Sequence, residues 1–548
     1  MSQVPGVDET LLRIVSYVLL GVALLVSAAV LTRLSDEDGI LAPLRERFVY
    51  GIPWGTVIVV VAVYGFYYLV QGGGQDGGPI VVGFRSWSLW APGTMLFSSF
   101  AHANESHLIG NLFGTLAFAP LVEFAWGHYP RERETRILPS SLWKPPVRIA
   151  LFVVAVFLAG VAGSLIVPGA VIGFSGVVFA FAGFAVVTLP IRTVLAILGI
   201  GAVRLVWEAL RNPWSVAQAG PVFSTPSWAN VAVQGHLYGL LVGVLLGTAL
   251  LRLRDQSPRL RHIYFATLVF AITRSLDAIY WFLGGDTYIL FRALGAAAVL
   301  FLAAVVTMAA YDGGWQLVEL IDLRLRTAAI GFLVTFVCAL AVIGIPYNLV
   351  SVDGGAEVEN GVEVRDYTVT YAEDIDDRYI SSLNLPVGQG PAVQQSGIIV
   401  ASEDRNIWEV RVSARELAFR GETTVVLGDA TWRETVVVNR TEWQVRGGNT
   451  TYKVFVRQDD QPRTQLFASE PALADPTLNG TRFYIRPTSD WYEIVVTRNS
   501  SIAGTEPIPA DGESVSLGGV EYERDEQKLL ARHASTEFQV AQYRLSRR

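Results

Sequence analysis

The feature that most constrains this chain is a series of long apolar runs, all of them before residue 350. An uncharged apolar stretch of about 18 residues or more is long enough to cross a bilayer as a helix. Ten runs qualify as candidates: roughly 11–32, 51–70, 107–125, 147–167, 173–190, 193–210, 229–250, 263–283, 288–310 and 328–346. The first lacks a basic leader and follows Asp8 and Glu9, so it is read as a helix that is kept and not as a cleaved signal. Over the whole chain 51% of residues are hydrophobic and 17% charged. A soluble enzyme carries nearer a quarter charged, so membrane insertion is the first expectation.

Charge divides the chain at the same place. Residues 350–548 hold 31 of the 49 acidic and 21 of the 42 basic residues, a net −10, against +3 for the part before them. Segments such as 363–371, 407–413, 434–438, 451–457 and 491–497 cluster β-branched and aromatic residues between Gly, Asn, Asp and Pro. This predicts a water-facing β-rich domain with a sandwich architecture. Cys338 is the single cysteine, so no disulfide can form within the chain.

Positive residues favour the cytoplasmic side. With the N-terminus outside, the five inner loops carry 14 Lys and Arg and the short outer segments carry two, Arg85 and Arg211. Ten crossings then return 350–548 to the outside, where the sequons at Asn439, Asn449, Asn479 and Asn499 would be open to glycosylation. The expected setting is the cell membrane, multi-pass, with both the N-terminus and the C-terminal domain outside.

Polar residues inside a membrane are costly and mark function. The set here is His102, His107, Asn111, Ser175, His236 and the Arg274/Asp277 pair. Ser175 stands in Gly173-Phe174-Ser175-Gly176, at the start of an apolar helix and after a Pro168-Gly169 turn. Free N–H groups at a helix start and flanking glycines suit a nucleophile with oxyanion donors, though such a motif also serves helix packing. His236 is expected about two turns into its own helix, running in the same direction. Gly239 and Gly243 give that helix a small-residue face, which permits close approach. His107 and Asn111, four apart, share a helical face and could donate to an oxyanion. A zinc site is the competing reading, but no HExxH or His-x3-His spacing is present, so no metal and no cofactor is expected. Arg274 and Asp277, three apart in one predicted helix, are expected to pair as a structural ion pair.

His102-x4-His107-x3-Asn111, Gly173-x-Ser175-Gly176 and His236-x2-Gly239-x3-Gly243, in this order, resemble the rhomboid intramembrane serine proteases over about residues 50–250. The resemblance implies an all-α polytopic membrane protein with a six-helix core and about four extra transmembrane helices, followed by the β-rich domain. It divides the chain into an added helix and loop (1–49), a catalytic core (50–252), three further helices (253–349) and the acidic domain (350–548). It further implies Ser175 as nucleophile, His236 as general base and His107 and Asn111 in the oxyanion hole. His102, Gly173, Gly176, Phe179 and Gly239 would support them, with Phe179 standing where many members have a tyrosine that stacks on the catalytic imidazole. Glu123 resembles a structural glutamate of the family. The Trp-Arg pair common in the loop between the first two core helices is missing; Trp87 and Trp90 lie there instead.

The activity so implied is cleavage of a peptide bond in or near the outer end of a substrate transmembrane helix. Expected partners are transmembrane proteins and the lipid bilayer, with no nucleic acid. Two alternatives stand beside it: a proteolytically silent rhomboid-like protein that binds membrane clients, and a transporter. Silent relatives typically lose the serine or the histidine, and this chain keeps both. The transporter reading lacks an evident internal repeat.

Overall fold

The computed structural model describes residues 8–34, 47–126, 144–214, 224–229, 232–284, 286–311, 319–349, 361–378, 384–385, 388–389, 393–458, 461–475, 477–478, 480–499 and 501–544. Four of the loop cations counted above, Arg45, Arg131, Arg133 and Arg136, and the sequon Asn479 lie outside these residues. The chain forms two compact units. One comprises Met1–Trp281 with Tyr288–Leu349, the other Phe282–Thr287 with Val350–Arg548.

The first unit is helical. Its helices are α1 (Glu9–Leu34), α2 (Trp54–Gly65), the short α3 (Pro92–Phe97), α4 (Glu105–Trp126), α5 (Pro145–Ile166), α6 (Ser175–Thr188), α7 (Pro190–Arg211), α8 (Val233–Leu253), α9 (Leu260–Thr273), α10 (Arg292–Ala309) and α11 (Glu319–Asn348). Among the described residues seven helices are long and apolar enough to cross a membrane. Three more apolar segments are shorter: Trp54–Val70, Ser175–Thr188 and Leu260–Thr273.

The chain itself explains several of these ends. Pro145 and Pro190 occupy the first turns of α5 and α7, where a missing N–H costs nothing. The first N–H groups of α2 are satisfied from a distance: Glu123 Oε1 accepts from Gly55 N at 3.0 Å and Oε2 from Thr56 N and Thr56 Oγ1, each at 3.0 Å. A carboxylate at a helix N-terminus also meets the positive end of its dipole. Glu123 is therefore a structural tie between α4 and α2.

Helix α6 is apolar all round and buried along Val177–Phe179 and Phe181–Val187, as a central helix must be. Around it one core joins Phe118, Phe152, Phe174, Phe181, Leu240, Val244 and Phe270.

Two expectations fail between 263 and 290. The span 263–283 is not a single helix: α9 stops at Thr273, Ser275 turns at φ 54°, and Tyr280–Gly284 pairs with Thr287–Leu290 as a two-stranded ribbon. The cause is local, because aromatic and β-branched residues flank Gly284-Gly285-Asp286, a hairpin pattern. With the helix ended, three-residue spacing no longer puts Arg274 and Asp277 on one face, and they form no ion pair with each other.

The second unit is β-rich and its strand pairings are antiparallel. One sheet has eight strands; the long strand Arg433–Val445 lies within it, paired with Thr450–Gln458, Glu422–Gly428 and Thr536–Arg544. Its buried face meets the four-stranded sheet that contains Arg482–Pro487 and Tyr492–Arg498, in a core of Trp443, Phe483, Ile494, Tyr522 and Val540. The predicted strand 363–371 is in fact a hairpin, Val362–Val364 and Tyr367–Asp376, turning at Arg365 (φ 55°). Beside that turn Arg405 bridges Asp366 and, at 2.7 Å, Asp429.

Candidate active site

Ser175 is the first residue of α6, and Gly173 just before it takes φ 122°, a conformation open to glycine. Crowding adds to that requirement, since a Cβ on Gly173 would overlap the His107 imidazole. The strand of chain leading to Ser175 is held on both sides. Gly173 N donates to Ser98 O at 3.0 Å, Ser86 N to Val171 O at 3.0 Å, and Val171 N to Ser86 Oγ at 3.1 Å.

His236 enters from α8. The helix begins at Val233 and His236 N bonds Ala232 O at 3.0 Å, so the imidazole lies in the first turn and not two turns in, as the sequence suggested. Close contact between α6 and α8 is fixed by glycine: a Cβ on Gly239 would collide with Gly176 O, and one on Gly243 with Ala180 O. The two backbones therefore touch directly, which brings both helix starts to one place.

There Ser175 and His236 line the same cavity, about 90 Å³ in size, together with Gly173, Gly176, Tyr238 and Gly239. The imidazole stacks flat on Phe179, with ring centroids 4.0 Å apart and planes 13° from parallel. Phe179 in turn packs on Phe270 of α9 at 5.2 Å. His236 Nδ1 is buried without a hydrogen-bond partner, and Ser175 and His236 form no hydrogen bond with each other among the described residues. Catalytic hydrogen bonds are often long before substrate binds.

The other predicted residues form a second cluster that meets the cavity at Gly173. Asn111 Nδ2 lies 3.0 Å from His102 Nε2, and the His102 and His107 rings stand edge to face at 5.1 Å. With the amide donating, His102 is neutral and carries its proton on Nδ1. His102 is completely buried and Asn111 nearly so. The backbone of His102 is gripped by Gln71, whose Oε1 accepts from His102 N at 2.8 Å and whose Nε2 donates to His102 O at 3.1 Å. Asn104 Oδ1 accepts from His107 N at 2.9 Å and caps α4. Sequence reading missed both. Asn104 carried a legible cue, a capping residue before an apolar helix; Gln71, 31 residues from its partner, carried none.

A third support comes from the far end of the helical unit. Asn348, fully buried at the end of α11, donates through Nδ2 to Leu165 O at 2.8 Å and Val167 O at 3.1 Å, the free carbonyls at the end of α5. Its own carbonyl accepts from Leu89 N at 2.8 Å and Ser88 Oγ at 3.1 Å. Trp90 Nε1 adds a bond to Leu349 O at 3.0 Å. The loop that lacks the Trp-Arg pair is thus braced by α11.

A bundle of apolar helices with a serine and a histidine turned into one cavity at the starts of two touching helices defines a polytopic membrane protein with a candidate nucleophilic centre. Residues 86–253 match the family model for the Rhomboid domain, so the chain carries a rhomboid domain, and with its apolar helices it is a multi-pass membrane protein. No curated protein and no solved structure matches the chain.

Proposed function

We propose that this protein is an intramembrane serine endopeptidase with a Ser175–His236 dyad. The observation that carries the reading is the shared cavity of Ser175 and His236 within a rhomboid domain. In the reaction Ser175 Oγ attacks the substrate carbonyl while His236 takes its proton. The resulting oxyanion is held by the Ser175 N–H, free at the helix start, and by His107 and Asn111 side-chain donors. His236 then gives the proton to the leaving amine, and water attacks the acyl-serine by the same route in reverse. Among the described residues no aspartate meets the imidazole, whose Nδ1 has no partner; the Phe179 ring orients it by stacking.

Depth is part of the mechanism. Fourteen residues of α6 cover about 21 Å, against a hydrocarbon thickness of about 30 Å. Ser175 therefore sits below one membrane face, and the substrate helix must unwind locally to offer it a carbonyl. The loop-charge bias favours the outer face, with the N-terminus and residues 350–548 on that side.

The test is cleavage of a model transmembrane substrate by the reconstituted full-length protein. Ser175→Ala and His236→Ala should each abolish cleavage with expression unchanged; cleavage surviving in either overturns the dyad. The competing reading, a silent client-binding protein, draws on the missing Ser175–His236 hydrogen bond. It predicts that the wild-type protein retains the substrate and leaves it whole.

A further inference from the structure

Among the described residues, the polar side chains that line the Ser175 cavity are Ser99, Ser175, His236 and Tyr238. Ser175 and His236 carry the proposed chemistry. Ser99 is already committed, since its hydroxyl donates to Gly160 O at 2.7 Å and lies 2.9 Å from Ser164 Oγ. That leaves Tyr238, whose hydroxyl forms no hydrogen bond among the described residues.

Tyr238 stands on the face of α8 that meets the cavity. Gly235, Tyr238 and Val242 follow one another at spacings of three and four, so they share one side of the helix, and all three line the cavity. Side chains on a helix also lean toward its N-terminus. For α8 that end bears His236 and touches the start of α6, so the phenol leans toward the site. The opposite wall has room. A Cβ added to Gly163 of α5, which also lines the cavity, would meet no atom within 4 Å, whereas one on Gly160 would meet the Phe100 ring and Ser99.

What enters this space follows from the proposed peptide cleavage, on which the inference rests. A substrate helix that unwinds to offer a carbonyl gives up backbone hydrogen bonds, and a peptide group left unpaired away from water is costly. A phenol both donates and accepts, so it can pair with either half of a peptide group.

We propose that Tyr238 is a substrate-binding residue, whose hydroxyl hydrogen-bonds one peptide group of the unwound substrate beside the bond that Ser175 attacks. That bond is made before attack and kept through it, so it contributes to binding and not to the rate of the bound complex.

The test uses the full-length protein in nanodiscs and a fluorescent model transmembrane peptide. Ser175→Ala should bind the peptide without turnover, and adding Tyr238→Phe to it should raise Kd about fivefold. With Ser175 intact, Tyr238→Phe should raise KM by a similar factor and leave kcat within about twofold. Peptides with one backbone amide near the cut replaced by an ester then locate the contact. At one position the ester should weaken binding to Ser175→Ala yet add nothing to the loss caused by Tyr238→Phe. Gly163→Leu, which fills the open wall, should block binding.

Kd and KM unchanged in Tyr238→Phe while Gly163→Leu still blocks, or a fall in kcat alone, overturns the role of Tyr238 and leaves the endopeptidase reading standing. Ester and Tyr238→Phe effects that add in full at every position overturn the backbone contact. Binding undiminished in Gly163→Leu overturns this cavity as the place where the peptide sits. A wild type that cleaves nothing, with a Ser175→Ala variant that holds no peptide, overturns the endopeptidase reading and this proposal with it.

Discussion

His236 is held by a ring, and among the described residues its imidazole forms no ion pair. Its flat stack on Phe179 restricts rotation of the imidazole, and the stack is itself backed by Phe270. Phe179→Ala should leave the helices packed but free the imidazole, lowering kcat by about tenfold, or about 1.4 kcal/mol of barrier, with little change in KM. Phe179→Tyr should retain activity, since the ring remains; steady-state kinetics on one substrate separates the two. In the β-rich unit, burial would raise the Asp429 carboxyl, but the Thr431 hydroxyl and Arg405 outweigh it and bring its pKa down to about 2. An acid depressed in the folded state stabilises it above the unfolded pKa of about 4 and loses that contribution as pH falls toward about 2. Unfolding of the full-length protein followed at the β-rich unit should therefore show stability falling between about pH 4 and about pH 2, and Asp429→Asn should flatten that fall. Legibility at this scale was uneven. Ser175 and His236 stood out because polar groups in apolar helices are rare, whereas Gln71 looked like any residue at a helix end.

Among the helices, sequence pattern was a good guide where a run was long and a poor one where apolar character hid a change of period. The stretch around Tyr280–Leu290 is apolar enough to pass as membrane helix, yet it folds as a ribbon in which Asp286 takes φ 63° between the two strands. The arginine-to-aspartate pairing inferred from helical spacing failed with it. By contrast Gly239 and Gly243 announced a close contact, and the partners they meet are the carbonyls of Gly176 and Ala180 on the helix that Ser175 begins. The tie from α11 to α5 was invisible in advance because nothing local marks Asn348 as a cap for carbonyls 181 and 183 residues away. Its removal leaves buried acceptors unpaired, at about 1–3 kcal/mol. Asn348→Ala should lower the thermal stability of the detergent-solubilised protein accordingly, and it should depress cleavage more than Asn348→Gln, which keeps the donor.

Taken whole, the chain carries a rhomboid domain at residues 86–253 together with further helices and a β-rich unit. The division into an apolar and an acidic part was legible from composition because lipid and water select different residues; the arrangement of strands was not, since each β-strand finds its partner through contacts that no local pattern encodes. The proposed topology makes a direct prediction. Protease added to intact cells should remove residues 350–548 and leave the helical part protected, and a tail that survives would reverse the orientation. The Asn348 bond also sets a clock. A ribosome that has finished α5 must still add about 180 residues before its carbonyls meet their donor, roughly ten to forty seconds at usual rates of synthesis. Through that interval the loop ahead of Ser175 lacks its last brace, so a nascent or truncated chain would hold both the serine and the histidine before the site around them is finally fastened.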